Sequence, residues 1–154
     1  MIAFLQGSGF IGAHGTLGSD LSLLITLVAA AMLTIGWRLA VARRYGAHRW
    51  VQTAAVCLNL VPVAVWMIRF YVLYVLPEIP AQLGKGTYAL TTIHGVVGAI
   101  GVALGVFVVI RANQLEAKGQ SLSRYKTSMR IAYLLYMLGT ALGVAVYFVV
   151  YVRA

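Results

Sequence analysis

The sequence predicts an all-α polytopic membrane protein, a four-helix bundle with the N-terminus and the C-terminus both outside. Three observations predict it. Hydrophobic residues make up 62% of the 154 residues and charged residues only 10%, against about 25% charged in a soluble domain. The mean hydropathy is +0.90, and the few charges sit in short clusters between long apolar runs. Lys and Arg are shared unevenly among the connections, and that asymmetry sets the orientation.

Taken in order, residues 2–12 are apolar but too short to span, and glycines interrupt them at Gly7, Gly9 and Gly12. Segment 1–19 is therefore expected at the outer interface. The first twenty residues hold no Lys or Arg, so they lack the basic region of a signal peptide and are expected to be mature sequence. Span one is expected over about 20–41, with Ser19 and Asp20 capping its start and Trp37, Arg38, Arg43 and Arg44 at its end. Its length, about 33 Å, covers the hydrocarbon core. Span two covers about 48–76, with a kink at Pro62 and a stop at Pro77-Glu78-Ile79-Pro80. Spans three and four cover about 87–112 and 126–152. The spans and their short connections use the whole chain, which makes one transmembrane domain, 1–154.

The first connection and its flanks carry Arg38, Arg43, Arg44 and Arg49, and the third carries Arg111, Lys118, Arg124, Lys126 and Arg130. The second has only Lys85, with Glu78 beside it. Connections one and three are then cytoplasmic, in a multi-pass protein of the cell membrane. Trp37, Tyr45, Trp50 and Tyr125 mark the inner interface; Tyr74, Tyr88 and Tyr151 mark the outer one. The net charge of +9 flanks the apolar runs, so its partner is membrane lipid and not nucleic acid. Cys57 is the single cysteine, which excludes an intramolecular disulfide and a paired-cysteine copper or zinc site. No motif of a catalytic kind is present, so the chain is not read as an enzyme.

What remains informative is the polar residues within the spans. In span two, His48, Gln52, Ala55, Asn59, Pro62, Trp66 and Arg69 recur at steps of three and four, so they share a stripe that must face protein. Span three aligns Thr91, His94, Gly98, Gly101 and Gly105, a small-residue face suited to close helix packing. Span four aligns Met129, Tyr133, Tyr136, Thr140, Gly143 and Tyr147. Span one aligns Asp20, Leu24, Leu27, Ala31, Thr34 and Arg38. His94 lies about 10 Å below the start of span three, Arg69 about 12 Å below the end of span two and Tyr147 about 8 Å below the end of span four. With Asp20 at the top of span one, these four are expected in one outer cluster, with His14 reaching in from the N-terminal segment. His94 is the candidate ligand for a metal or haem iron; Arg69 would anchor an anionic group. Each has a plainer reading. Arg69 can pair with Asp20 or Glu78 and fix helix register, His94 can be a hydrogen-bonded core histidine, and His48 can mark a helix start at the inner interface. Asn59 is placed to bond the carbonyls that Pro62 frees.

Several short motifs carry a family resemblance. They are Gly9-Phe10-Ile11-Gly12 with Ser19-Asp20 before span one, Gly36 with a basic connection ending in His48, and His94-Gly95 opening the third span. Lys126-x-x-Met129-Arg130 and Gly143-Val144-x-Val146-Tyr147 complete the set in span four. In order and spacing, over nearly the whole chain, this resembles the YozB/CtaM family of small bacterial and archaeal membrane proteins. Members tend to be encoded near haem-copper oxidase genes, and one branch is implicated in maturing such an oxidase. By position His48 and His94 match the family's recurrent histidines, whereas His14 stands where other residues are allowed. The resemblance implies an assembly or maturation factor that binds haem-copper oxidase subunits and handles haem or metal. The alternative is a small membrane cytochrome, which needs two axial ligands at one depth. His94 has no histidine at its depth on another span; Met67, about one turn deeper, and His14 are the remaining candidates. A transporter ranks third, because no pair of spans is broken in the manner of repeats.

Overall fold

The computed structural model describes residues 5–11, 14–82, 84–121 and 123–152. Four helices within them are long and apolar enough to cross a bilayer: α1 (Leu17–Val41), α2 (Tyr45–Gln82), α3 (Gly86–Ala117) and α4 (Lys126–Val152). The chain is thus a multi-pass membrane protein. Each helix packs on its neighbours in sequence, and α4 closes back on α1. The closest pairs are the hairpins α1–α2 and α3–α4. Large apolar side chains such as Ile35, Ile68, Ile93, Ile100 and Leu134 point outward, as a bilayer requires of an exterior.

The interior is small and glycine-notched. Leu33, Ala55 and Tyr136 form its centre. A Cβ on Gly18 would stand 2.5 Å from the Trp66 ring, and one on Gly36 2.6 Å from the Gln52 amide. Those two glycines are therefore the seats by which α1 receives α2. Between α3 and α4 the spacing is looser: a Cβ on Gly101 would meet Leu135 at 3.4 Å, and one on Gly105 would meet Tyr136 at 3.1 Å.

Three departures from the sequence reading have physical causes. Helix α1 starts one turn earlier than expected, because Thr16 and Ser19 form a reciprocal capping box and Asp20 falls inside the first turn. Beyond the first turn its buried positions are Ser22, Ala29, Leu33 and Gly36, not Leu24, Leu27 and Ala31, which are exposed; of the expected stripe Asp20 is buried. Helix α2 runs on past Pro77, since a proline at the start of a 3-10 turn (Leu76–Glu78) loses a donor that the turn leaves unpaired anyway.

The third departure matters most for the site. Helix α2 contains two π turns, Val63–Met67 just after Pro62 and Tyr71–Val75. The Ile68 N–H donates to Val63 O, and the Leu76 N–H to Tyr71 O. Each π turn inserts one extra residue and slips the following face by about 100°. Inward positions after Pro62 are therefore Trp66, Tyr71 and Val75, and Arg69 is exposed on the outer surface. The expected inward stripe ending in Arg69 is corrected accordingly.

Candidate functional site

Two connected features occupy the bundle end that carries both termini. The first is built on Asp20. The capping box fixes the first turn of α1, where the unpaired N–H groups favour an anion. Asp20 is wholly buried. Its Oδ2 accepts the backbone N–H groups of Phe10 at 2.5 Å and Ile11 at 2.7 Å, and its Oδ1 accepts the Tyr147 hydroxyl at 2.5 Å and, more weakly, that of Ser19 at 3.4 Å. Every partner is a donor, which is the pattern an ionised carboxylate satisfies. The N-terminal segment folds back to make this possible: Gly9 N–H donates to Gly15 O and Leu17 N–H to Gly7 O. A Cβ on Gly9 would lie 2.5 Å from Asp20 Oδ2 and 2.8 Å from the Gly15 backbone. Only glycine fits there. Asp20 thus ties the segment, α1 and α4 together.

The second feature is a cavity of about 640 Å³, bordered by all four helices and open on one side. It falls within the size range of small-molecule sites. Its wall is apolar and rich in rings, among them Trp66, Phe70, Tyr71, Tyr136 and Tyr151. His94 is part of that wall. Its Nδ1 lies 3.1 Å from the Gly139 carbonyl oxygen. A carbonyl only accepts, so Nδ1 carries the proton and Nε2 keeps its lone pair. Glycine again makes the geometry: a Cβ on Gly143 would come within 3.0 Å of His94 Cε1, so the imidazole rests directly on the α4 backbone. Among the described residues no hydrogen bond reaches Nε2. Two more wall residues, Thr26 on α1 and Thr140 on α4, hold buried hydroxyls with no hydrogen-bond partner. Other threonines here bond the carbonyl one turn back, as Thr34, Thr91 and Thr92 do. Tyr147 borders the cavity as well as bonding Asp20, and so links the two features.

Of the five residues expected to cluster, Asp20 and Tyr147 are bonded to each other, and Tyr147 and His94 border the same cavity. Arg69 does not, being exposed on α2 for the reason given above; Asp20 is instead satisfied by other donors. His14 is adjacent only through its backbone, whose N–H donates to Tyr151 O, while its side chain is exposed. Asn59 does not serve the Pro62 gap; its Nδ2 donates to the Tyr136 hydroxyl at 3.2 Å. Gly98 is not a packing notch, since a Cβ there would meet nothing within 4 Å and the position borders the cavity. At the other end His48 Nδ1 bonds Gly36 O at 2.7 Å and Gln52 Nε2 donates to Leu33 O at 3.1 Å, which clamps α2 to α1. Arg49 pairs with Glu116 there. Sequence reasoning missed Thr26 and the fold-back onto Asp20; it placed Thr140 on the span-four stripe without assigning its hydroxyl a role. Only Gly9 and Gly12, in an otherwise apolar segment, hinted at a turn.

Among the described residues no group of three His, Cys, Asp or Glu side chains can hold a metal ion. Haem fits the cavity in part. The imidazole of His94 and the thioether of Met67, both in the wall, are donors that haem iron accepts. Among the described residues no Lys or Arg is in the wall to pair with propionates. Comparison with protein-family models, with curated proteins and with solved structures finds no match.

Proposed function

We propose that this chain is a membrane assembly factor that holds a planar apolar cargo of the haem class and passes it to a haem-copper terminal oxidase. The observation that carries the reading is His94. Its Nδ1–H is tethered to the Gly139 carbonyl and its Nε2 is left with a lone pair, in the wall of an aromatic cavity within the membrane-spanning helices. A histidine oriented through its second nitrogen is the usual form of an iron ligand. Among the described residues the wall offers iron ligands but no cation for propionates, which suits loosely held cargo. The motif resemblance supplies the oxidase. The Lys and Arg clusters of connections one and three share one bundle end, and we place that end at the cytoplasmic face of the cell membrane.

In this reading His94 binds the cargo iron, the aromatic wall stacks its ring, and Tyr147 and Asp20 hold the α1–α4 end of the cavity in place. The test is a haem titration of the purified chain in detergent. The chain is expected to give a saturable absorption change, weakened at least tenfold by His94→Ala, about 1.4 kcal/mol or more. His94→Ala is also expected to remove oxidase maturation in complementation while the protein stays in the membrane. Equal haem affinity in the two proteins would remove the proposal. The second reading, a small cytochrome, is favoured by Met67 sharing the wall with His94. It requires that Met67→Leu change the spectrum of the bound haem.

A further inference from the structure

We infer that the face of α2 centred on Arg69 is the seat of a second membrane helix, from another protein, that carries a carboxylate at the depth of Arg69. Arg69 is exposed, and among the described residues it makes no hydrogen bond or ion pair. The surface around it is apolar, with Val65, Ile68, Val72 and Leu73 all exposed. A guanidinium in such a setting is strongly disfavoured against hydrocarbon unless it is paired.

The chain has no acid to spare for it. Its three are Asp20, Glu78 and Glu116. Asp20 is wholly buried under its own donors. Glu78 accepts from Gln82 and stands about 13 Å further along the helix. Glu116 pairs with Arg49 at the other end. The same count argues against a second copy as occupant, since a copy would present no free carboxylate at this depth. The exposure is also built in. Arg69 sits in the three-residue stretch Ile68–Phe70 between the two π turns, and π turns recur at functional sites. Here the register slip of the first π turn, Val63–Met67, turns the cation outward while Tyr71 stays on the cavity wall. A carboxylate takes a guanidinium in a bidentate pair, which fixes both depth and rotation of the incoming helix.

This inference does not rest on the cavity or on haem. It is tested with the full chain in phosphatidylcholine vesicles, mixed with a synthetic single-span Leu/Ala helix bearing one Asp at the depth of Arg69, or Leu there instead. Association is read by energy transfer between labels on chain and peptide. The Asp peptide is expected to associate at least tenfold more tightly than the Leu peptide. That preference should vanish in Arg69→Leu, and in Arg69→Glu it should pass to a Lys-bearing peptide. Because Arg69 is on the exterior, Arg69→Leu should keep the wild-type helical content, melting profile and haem titration. Three results overturn the inference: equal association of the Asp and Leu peptides, an Arg69 effect that follows only the content of anionic lipid, and Arg69-dependent self-association of the chain.

Discussion

At Asp20 one carboxylate does the work of several contacts. It neutralises two backbone donors of a fold-back segment and a tyrosine hydroxyl from the last helix. Removing it leaves the buried Tyr147 hydroxyl and the N–H groups of the exposed Phe10 and Ile11 without this acceptor, and hydrogen bonds to a charged group are worth about 1.5–3 kcal/mol each. Asp20→Ala is expected to lower stability by about 3 kcal/mol, allowing for partial rehydration, and Tyr147→Phe by about 1–2 kcal/mol. Thermal unfolding in detergent checks both. The order Asp20→Ala worse than Tyr147→Phe is the informative part, since a role confined to the α1–α4 pair would make them equal. Residue chemistry was legible in part: Asp20 and Tyr147, expected near each other, are bonded, and His94 shares the cavity border with Tyr147. Their backbone partners were not legible. A lone-pair donor or acceptor on the backbone leaves no trace in sequence, so the Gly139 carbonyl for His94 and the Phe10 and Ile11 amides for Asp20 emerge only from the fold.

Among elements, α2 and α3 teach opposite lessons. Periodicity at 3.6 residues assumes an unbroken α-helix, and α2 is not one. Two π turns after Pro62 shift the face by an extra residue each, so Trp66 stays inward but Arg69, beyond the first of them, does not. Helix α3 is regular, and its glycine face was read correctly as facing the bundle. What spacing does not distinguish is a glycine against a neighbour from a glycine against a cavity. Gly101 meets Leu135, and Gly98 meets open space. Gly101→Leu should overpack the α3–α4 contact and cost about 1–3 kcal/mol, seen as a lower melting temperature. Gly98→Leu should leave the melting temperature near wild type and instead fill the cavity, weakening haem binding at least tenfold. Reversed outcomes for the two variants would show that the α3–α4 packing described above is wrong.

For the molecule as a whole, four long apolar runs were enough to set four candidate spans, because the bilayer admits so few solutions; the expected stop at Pro77 was not met, since α2 runs on past it. The cavity was not legible. It arises where the tight hairpins α1–α2 and α3–α4 stand apart, and where the π turns of α2 carry Tyr71 and Trp66 along its border. Among the described residues its wall holds one imidazole, one thioether and no Lys or Arg, and the proposed carrier and the alternative cytochrome would use these donors differently. A carrier ligates the iron through His94 alone and leaves the opposite face open for transfer; a cytochrome closes both faces. The spin state of ferric haem bound to the purified chain, read by electron paramagnetic resonance, tests this most directly. The account predicts a high-spin, five-coordinate signal that is lost in His94→Ala and unchanged in Met67→Leu. A low-spin, six-coordinate signal that disappears in Met67→Leu would contradict it.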